Sequence, residues 1–155
     1  MSEPKWLSDE EQGAWRAYLE ATVLLFDALD RQLQQEAGMP HAYYEILVRL
    51  SESPSRSMRM SELATRTRSS RSRLSHAVAR LEEKGWVERC DFPTDRRGQV
   101  AHLTDKGFAT LEQAAPGHVQ AVHSYVIDKL SAEQIAQLTA IGVAIRDGLV
   151  PGGCD

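Results

Sequence analysis

The stretch LEEKGWVERCDFPTDRRGQVAHLTDKG, Leu81–Gly107, changes period part-way through. Up to Gly85 the apolar residues recur every three or four positions, as on one face of a helix. Beyond it, WVERC and QVAHL are short, β-rich and alternating, as in strands that bury one face. Gly85 closes the helix in the left-handed conformation that glycine adopts without strain. Pro93 to Gly98 lie between the two strand segments. The stretch therefore reads as the end of a helix followed by a two-stranded hairpin with a long, basic tip. Thr104-Asp105 then caps another helix.

Working back from Leu81, SRSRLSHAVARLEEK is a helix starting at Ser70 or Ser69, with Leu74, Ala77, Val78 and Leu81 turned to the core. Before it, RSS makes a tight turn. Ser61 is expected to cap a brief helix, SELATRT, with Leu63 and Ala64 inward. A short helix, a turn of about three residues and a second helix make a helix-turn-helix. With the hairpin directly after it, the unit is a winged helix.

Further out, Ser8 and Glu11 form a capping box for a long helix striped by Trp15, Tyr18, Thr22, Leu25 or Phe26, Leu29 and Leu33. Gly38 stops it and Pro40 opens the next, whose face is Tyr43, Ile46, Leu47 and Leu50. That helix ends before Ser53-Pro54, and SPSRSMRM reads as a polar link. Downstream, Phe108, Leu111 and Ala115 line a helix that Pro116-Gly117 should kink or interrupt. Val119, Val122, Val126 and Leu130 carry it on. Ser131 and Gln134 form a second capping box, followed by the stripe Ile135, Leu138, Ile141, Ile145 and Leu149. PGGCD is a frayed tail. The expected fold is mainly α with a small β-hairpin wing: a winged helix-turn-helix of six helices, the wing lying between the fourth and fifth.

The chain has 155 residues, which fits one domain, and a net charge of −4. That total conceals a segregation. Residues 1–54 carry −6, residues 55–97 carry +5, and residues 98–155 carry −3. A basic middle between acidic flanks suits a chain that meets a polyanion with one region only. Arginine supplies 10 of the 11 basic residues in that middle, and its planar fork matches phosphate and guanine edges.

In a winged helix the second helix of the pair enters the major groove. Ser72, Arg73 and His76 share its outer face, and arginine reads guanine O6 and N7. Ser70 and the exposed amides at the helix start suit phosphates, Arg71 is a further DNA-binding candidate, and Arg66 and Arg68 at the turn suit the DNA backbone. The tip then lies over the narrow, strongly negative minor groove, which favours an inserted Arg96 or Arg97. Asp95 fits if it pairs with an arginine and fixes its direction. Arg80, Glu82, Glu83 and Lys84 read as a solvated face or intrahelical pairs.

With MSELATRT, SSRSRLSHAVARLEEKGWVER and DFPTDRRGQVAHLTDKG in place, the sequence resembles the MarR family of regulators. The pattern L-E-x-K-G-x-V-x-R, P-x-D-R-R, L-T-x-x-G is matched from Leu81 through Gly107. The resemblance implies a homodimer, with residues 1–40 and 104–155 as the dimerisation region and 41–103 as the DNA-binding region. It implies binding to a pseudo-palindromic double-stranded operator, with Arg97 entering the minor groove and Asp95 as the wing acid. It further implies a sequence-specific transcriptional regulator, a repressor released by a small aromatic or phenolic effector. The recognition helix departs from the family norm in its many arginines, Pro116-Gly117 interrupts a dimerisation helix, and the N-terminal cysteine of oxidant-sensing members is missing.

Trp15, Tyr18, His41, Tyr43 and Tyr44 are the candidate effector-pocket residues, with core and dimer packing as the plainer alternative. Cys90 reads as a small half-buried strand residue, with Arg89 on the opposite face, and Cys154 as incidental. The spacing of the five histidines does not favour a metal site, and no cofactor is expected. No phosphate loop, G-x-S-x-G, H-E-x-x-H or paired-carboxylate constellation is present, so an enzyme is not expected. Nothing resembles a signal peptide or membrane span, and the expected location is the cytoplasm. The competing reading is a winged helix that has lost DNA binding and works by protein contact, against which the concentration of arginine argues.

Overall fold

A computed structural model describes residues 4–150 apart from 93 and 94, and the side chains of 92–97 lie outside the description. Pro93, the side chains of Asp95, Arg96 and Arg97, and Cys154 therefore lie outside the described residues. The elements, in order, are α1 (Asp9–Ala37), α2 (His41–Ser51), a 3₁₀ turn (Pro54–Arg56), β1 (Ser57–Arg59), α3 (Met60–Arg66), α4 (Arg71–Glu83), β2 (Val87–Phe92), β3 (Asp95–Leu103), α5 (Asp105–Tyr125), a second 3₁₀ turn (Ile127–Lys129) and α6 (Ala132–Leu149). The class expected from the sequence, mainly α with a small β wing, is the one observed. The chain divides into two units, residues 1–118 and 119–155.

In the first unit, local signals place the helix ends. The Ser8 hydroxyl accepts from the Glu11 amide at 3.2 Å, while Glu11 accepts from the Ser8 amide at 2.8 Å, completing the capping box. Gly38 ends α1 at φ 64°. Pro40 opens α2 with no side-chain cap of its own. Asp30, on α1, accepts from the His41 amide at 2.8 Å and so fixes α2 against α1. The core gathers Leu33, Met39, Ile46, Leu47, Leu50, Leu63, Leu74, Val78, Leu81, Val87 and Leu103, all essentially sealed from solvent. Each such side chain is worth roughly 1.5–3 kcal/mol of transfer free energy. On α2 the buried aromatic is Tyr44; Tyr43 is half-buried.

Several expectations need correction. The polar link is not wholly irregular, because Ser57–Arg59 form β1, which pairs antiparallel with β3. The wing thus belongs to a three-stranded sheet of order β1-β3-β2, not a free hairpin. Helix α3 begins at Met60, one residue before Ser61, and its N-cap, Arg59, makes no side-chain capping bond. The hairpin tip is shorter than expected: the ladder continues to a Phe92–Asp95 pair, after a register irregularity beyond Asp91, so the backbone of Asp95–Gly98 belongs to β3. Of the two outcomes expected at Pro116, a kink or an interruption, the interruption does not occur, since α5 runs from Asp105 to Tyr125 with Pro116 inside it. A proline removes one helical bond and crowds the preceding turn, but the helix is held by Leu111 and Ala114, buried just before it. Finally, Cys90 is exposed, not half-buried. It lies on the solvent face of an edge strand, whereas Val87 of the same strand is buried.

In the second unit, Ser131 and Gln134 cap α6 reciprocally at 3.2 and 2.9 Å. Leu138, Ile141, Ile145 and Leu149 all stand in solvent.

Candidate nucleic-acid interface

The helix-turn-helix is built from α3 and α4. Arg68 adopts φ 53° in the turn between them, an uncommon conformation for a side-chain-bearing residue. The turn is tied back by the Ser69 amide, which donates to the Ala64 carbonyl at 3.0 Å. Ser70 caps α4 by accepting from the Arg73 amide at 3.2 Å. Leu74, Val78 and Leu81 fix the inner face of α4, each at most 1 % exposed. With that face committed, Arg71, Ser72, Arg73 and His76 are left in solvent, and Arg68 and Ser70 stand exposed at the entrance. A groove beside α4 is walled by Tyr43 and Ile46 of α2 and by Ser72, Arg73 and His76. A second cleft is lined by Arg71 and Ser75 of α4, by Gly98 and Gln99 of β3, and by Arg59 and Ser61.

Ion pairing sorts the basic residues. Arg66 pairs with Glu62 at 2.8 Å and Arg80 with Glu83 at 3.0 Å, each within its own helix. Arg56 reaches Asp105 at 3.1 Å and lies 3.7 Å above the centre of the Phe108 ring. Arg89 holds Glu82 at 2.7 Å. By contrast, Arg68, Arg71 and Arg73 are all exposed and form no ion pair among the described residues. Glu82, grouped by sequence with the solvated face, instead reaches across to the wing. Sequence reading misses that bridge and the Arg56 clasp, because both partners lie on other elements and nothing local announces them.

The wing backbone is placed by β3, which pairs with β1 on one side and β2 on the other. Asp95, Arg96 and Arg97 fall at its start, at the end farther from the core.

The five effector-pocket candidates do not gather in one place within the described chain. Trp15 and Tyr18 stack obliquely on α1, ring centres 6.3 Å apart, and both are about half exposed. Tyr43 faces the α4 groove. His41 and Tyr44 instead meet His118 of α5, at 5.6 and 4.5 Å between ring centres, with Phe26 edge-on to His41. His118 Nδ1 lies 3.4 Å from the amide oxygen of the buried Gln32, whose nitrogen donates to Glu36 at 2.7 Å. A Cβ on Gly117 would meet the Glu36 carboxylate, which would have to swing aside.

Burial, and then repulsion from His41, lower the pKa of His118 below its ordinary 6.5. The unfolded chain therefore binds the His118 proton first as the pH falls, so this group costs stability below about pH 6.5. We expect the melting temperature to drop on acidification through that range more steeply in the wild type than in His118→Gln. Thermal melts at pH 7.5, 6.5 and 5.5 check this; parallel curves would refute it.

Among the described residues no cluster of His, Cys, Asp and Glu could hold a metal ion, and no helix is long and apolar enough to cross a membrane.

Comparison with known proteins agrees with the geometry. The MarR family profile matches residues 37–98. A MarR family transcriptional regulator from Streptomyces coelicolor, solved in complex with DNA, is 56 % identical, with 98 % of this chain and 97 % of that chain covered and a TM-score of 0.92. AbsC, another MarR family regulator from Streptomyces coelicolor, is 44 % identical over 94 % of this chain and 98 % of its own, with a TM-score of 0.89. The transcriptional repressor MprA of Escherichia coli is 28 % identical over 104 residues, 66 % of this chain and 59 % of MprA. The match thus spans about three fifths of that curated relative.

Proposed function

Since the chain belongs to the MarR family of winged-helix transcriptional regulators, we propose that it is a homodimeric, sequence-specific double-stranded DNA-binding repressor. A regulator of this family is not an enzyme. The observation that carries the DNA-binding reading is the sorting of arginines. Arg68, Arg71 and Arg73 have no acid partner among the described residues, while Arg56, Arg66, Arg80 and Arg89 each have one. An uncompensated basic surface on a helix otherwise fixed by its buried face suits phosphates and base edges.

In this reading Ser72, Arg73 and His76 of α4 face the major groove. Arg68, Ser70, Arg71 and Arg96 make phosphate or supporting contacts, Arg97 enters the minor groove, and Asp95 orients it. The cleft between Arg71 and Gln99 would receive the DNA backbone that separates the two grooves. Residues 1–40 and 104–155 form the dimerisation region. The exposed Trp15, Tyr18, Leu19, Val23 and Phe26 of α1, and Leu138, Ile141 and Ile145 of α6, support it as apolar surface in search of cover. A small aromatic or phenolic effector releases the DNA, with His41 and Tyr44, and with Trp15, Tyr18 and Tyr43 brought in by the dimer, as the candidate contacts. The protein acts in the cytoplasm.

Selection of genomic fragments by the purified protein, followed by titration of the winners at several salt concentrations, tests this. A two-fold symmetric site with half-sites about one helical turn apart is expected. Weak binding without sequence preference would overturn the reading in favour of a protein-docking winged helix. On the selected site, Arg97→Ala should weaken binding and flatten the plot of log K against log salt by roughly one unit for each arginine withdrawn from the minor groove. An unchanged slope would remove Arg97 from the interface.

A further inference from the structure

We propose that Glu82 and Arg89 are positioning residues that lock the wing to the recognition helix, so that the two grooves of the DNA can be engaged together. The proposal rests on the DNA-binding reading above and goes beyond it, because neither side chain is assigned to touch DNA.

Glu82 is in the last turn of α4, and Arg89 is the third residue of β2. Both carboxylate oxygens of Glu82 are committed to Arg89. One accepts from the Arg89 backbone amide at 3.0 Å, and the other accepts from Nε at 2.8 Å and lies 2.7 Å from Nη2. The third guanidinium nitrogen, Nη1, lies 3.4 Å from the Ser75 hydroxyl. Ser75 is seven positions before Glu82, two helical turns or roughly 10 Å along the axis. The Arg89 side chain therefore lies along α4 and meets it at two levels, which resists rotation of the wing about a single point.

Sheet topology makes the lock necessary. In the order β1-β3-β2, strand β2 is an edge. Outward-facing amides on an edge have no strand partner, and the Arg89 amide turns to Glu82. Farther out, β2 is paired with β3 among the described residues, and the register slips beyond Asp91. The tip is carried on that outer part of the ladder. Among the described residues, the lock is the polar tie between β2 and α4, beyond the buried Val87, and so helps to set the angle between the tip and the face of Ser72, Arg73 and His76.

The pair is half-buried, with side chains 26 % and 30 % exposed. Fork geometry and partial shielding make such an interaction directional where a surface pair is not. Ser75 also lines the cleft between α4 and β3. The lock thus sits beside the channel assigned to the DNA backbone and contributes no phosphate ligand of its own.

The test is a double-mutant cycle on the selected operator. Glu82→Gln keeps an oxygen for the Arg89 amide, so the fold should survive, while the ion pair is lost. We expect it to weaken operator binding about tenfold and to flatten the salt plot by only part of what Arg97→Ala removes, because the wing arginine is displaced from the minor groove and not deleted. We also expect Arg97→Ala to cost several-fold less in the Glu82→Gln background than in the wild type, because a wing already out of register has less to lose. A merely structural Glu82 would not couple to a distant arginine. Arg89→Lys, which keeps the charge but not the fork, should behave like Glu82→Gln. The proposal is overturned if Glu82→Gln binds like the wild type, or if its penalty and that of Arg97→Ala simply multiply. Should the wild type itself select no site, the DNA-binding reading has failed, and the lock fails with it.

Discussion

Replacing Gly107 with alanine should destabilise the protein by roughly 3 kcal/mol, lowering its melting temperature by about 6–12 °C for a chain of this size. The reason lies in the joint between the wing and α5. The Thr104 amide donates to the Trp86 carbonyl at 3.1 Å. The Thr104 hydroxyl donates to the Gly85 carbonyl at 2.7 Å and accepts from the Gly107 amide at 3.0 Å. The first turn of α5 is thereby drawn directly onto the Gly85-Trp86 turn. A Cβ on residue 107 would occupy the space of the Trp86 carbonyl oxygen and come within 2.8 Å of Leu103 Cδ1. Backbone cannot swing aside as a side-chain tip can, so α5 or the turn must shift and those bonds must lengthen.

Gly85 gives the comparison. There a Cβ has room, with Lys106 Cδ its nearest neighbour at 3.7 Å, but φ is +72°. Gly85→Ala should cost only about 1–2 kcal/mol, the ordinary penalty for a left-handed residue. The order of the two effects is the prediction. Melts of both variants under one condition check it, and a Gly107→Ala protein as stable as Gly85→Ala would show that α5 is not held as closely as the geometry indicates.

These two glycines also show what the sequence can and cannot reveal. Gly85 is legible, because a glycine after the last apolar residue of a helix has a local meaning. Gly107 is visible only as the last letter of a family pattern; its reason is a carbonyl 21 positions earlier. The same division runs through the fold. Ser8, Gly38, Ser70 and Ser131 are readable because each acts on residues within a few positions. Strand β1 is not, since three residues carry no period and its partner Val100–His102 lies more than 40 positions on. Residues 95–98 hold no apolar residue, so their alternation is invisible, and the ladder that continues through them reads as loop.

Within the site, the exposed face of α4 follows from its buried stripe. Intrahelical pairs such as Arg80 with Glu83 follow from spacing. The partner of Glu82 does not, because Arg89 belongs to another element and the period-two reading of β2 places it only by face. Pro116 shows the converse for the expected interruption. A strong local signal for a break is overridden by a helix whose neighbouring turns are packed, and sequence alone does not say when packing exceeds the roughly 3 kcal/mol that an interior proline costs.

Arg73→Ala should produce the largest loss of DNA affinity of any single change in α4. The side chain is exposed on the outer face, has no acid partner among the described residues, and its own amide is held by Ser70, which fixes where the side chain begins. A bidentate arginine–guanine pair is worth roughly 1–3 kcal/mol of discrimination. In a symmetric dimer the change is made in both half-sites, so the operator should lose about 2–6 kcal/mol, at least roughly 30-fold in Kd. Binding to unrelated DNA should fall far less, because only a charge near the phosphates is removed. Repeating the fragment selection with the variant should return sites that have lost preference at one base pair in each half, at symmetric positions. Arg80→Ala, seven residues on but already paired with Glu83, should change Kd by less than about threefold. The ratio of specific to non-specific loss decides the role. Equal losses would make Arg73 a phosphate ligand and leave sequence reading to Ser72 and His76, while an unchanged Kd would mean that α4 does not enter the groove by the face its buried stripe leaves free.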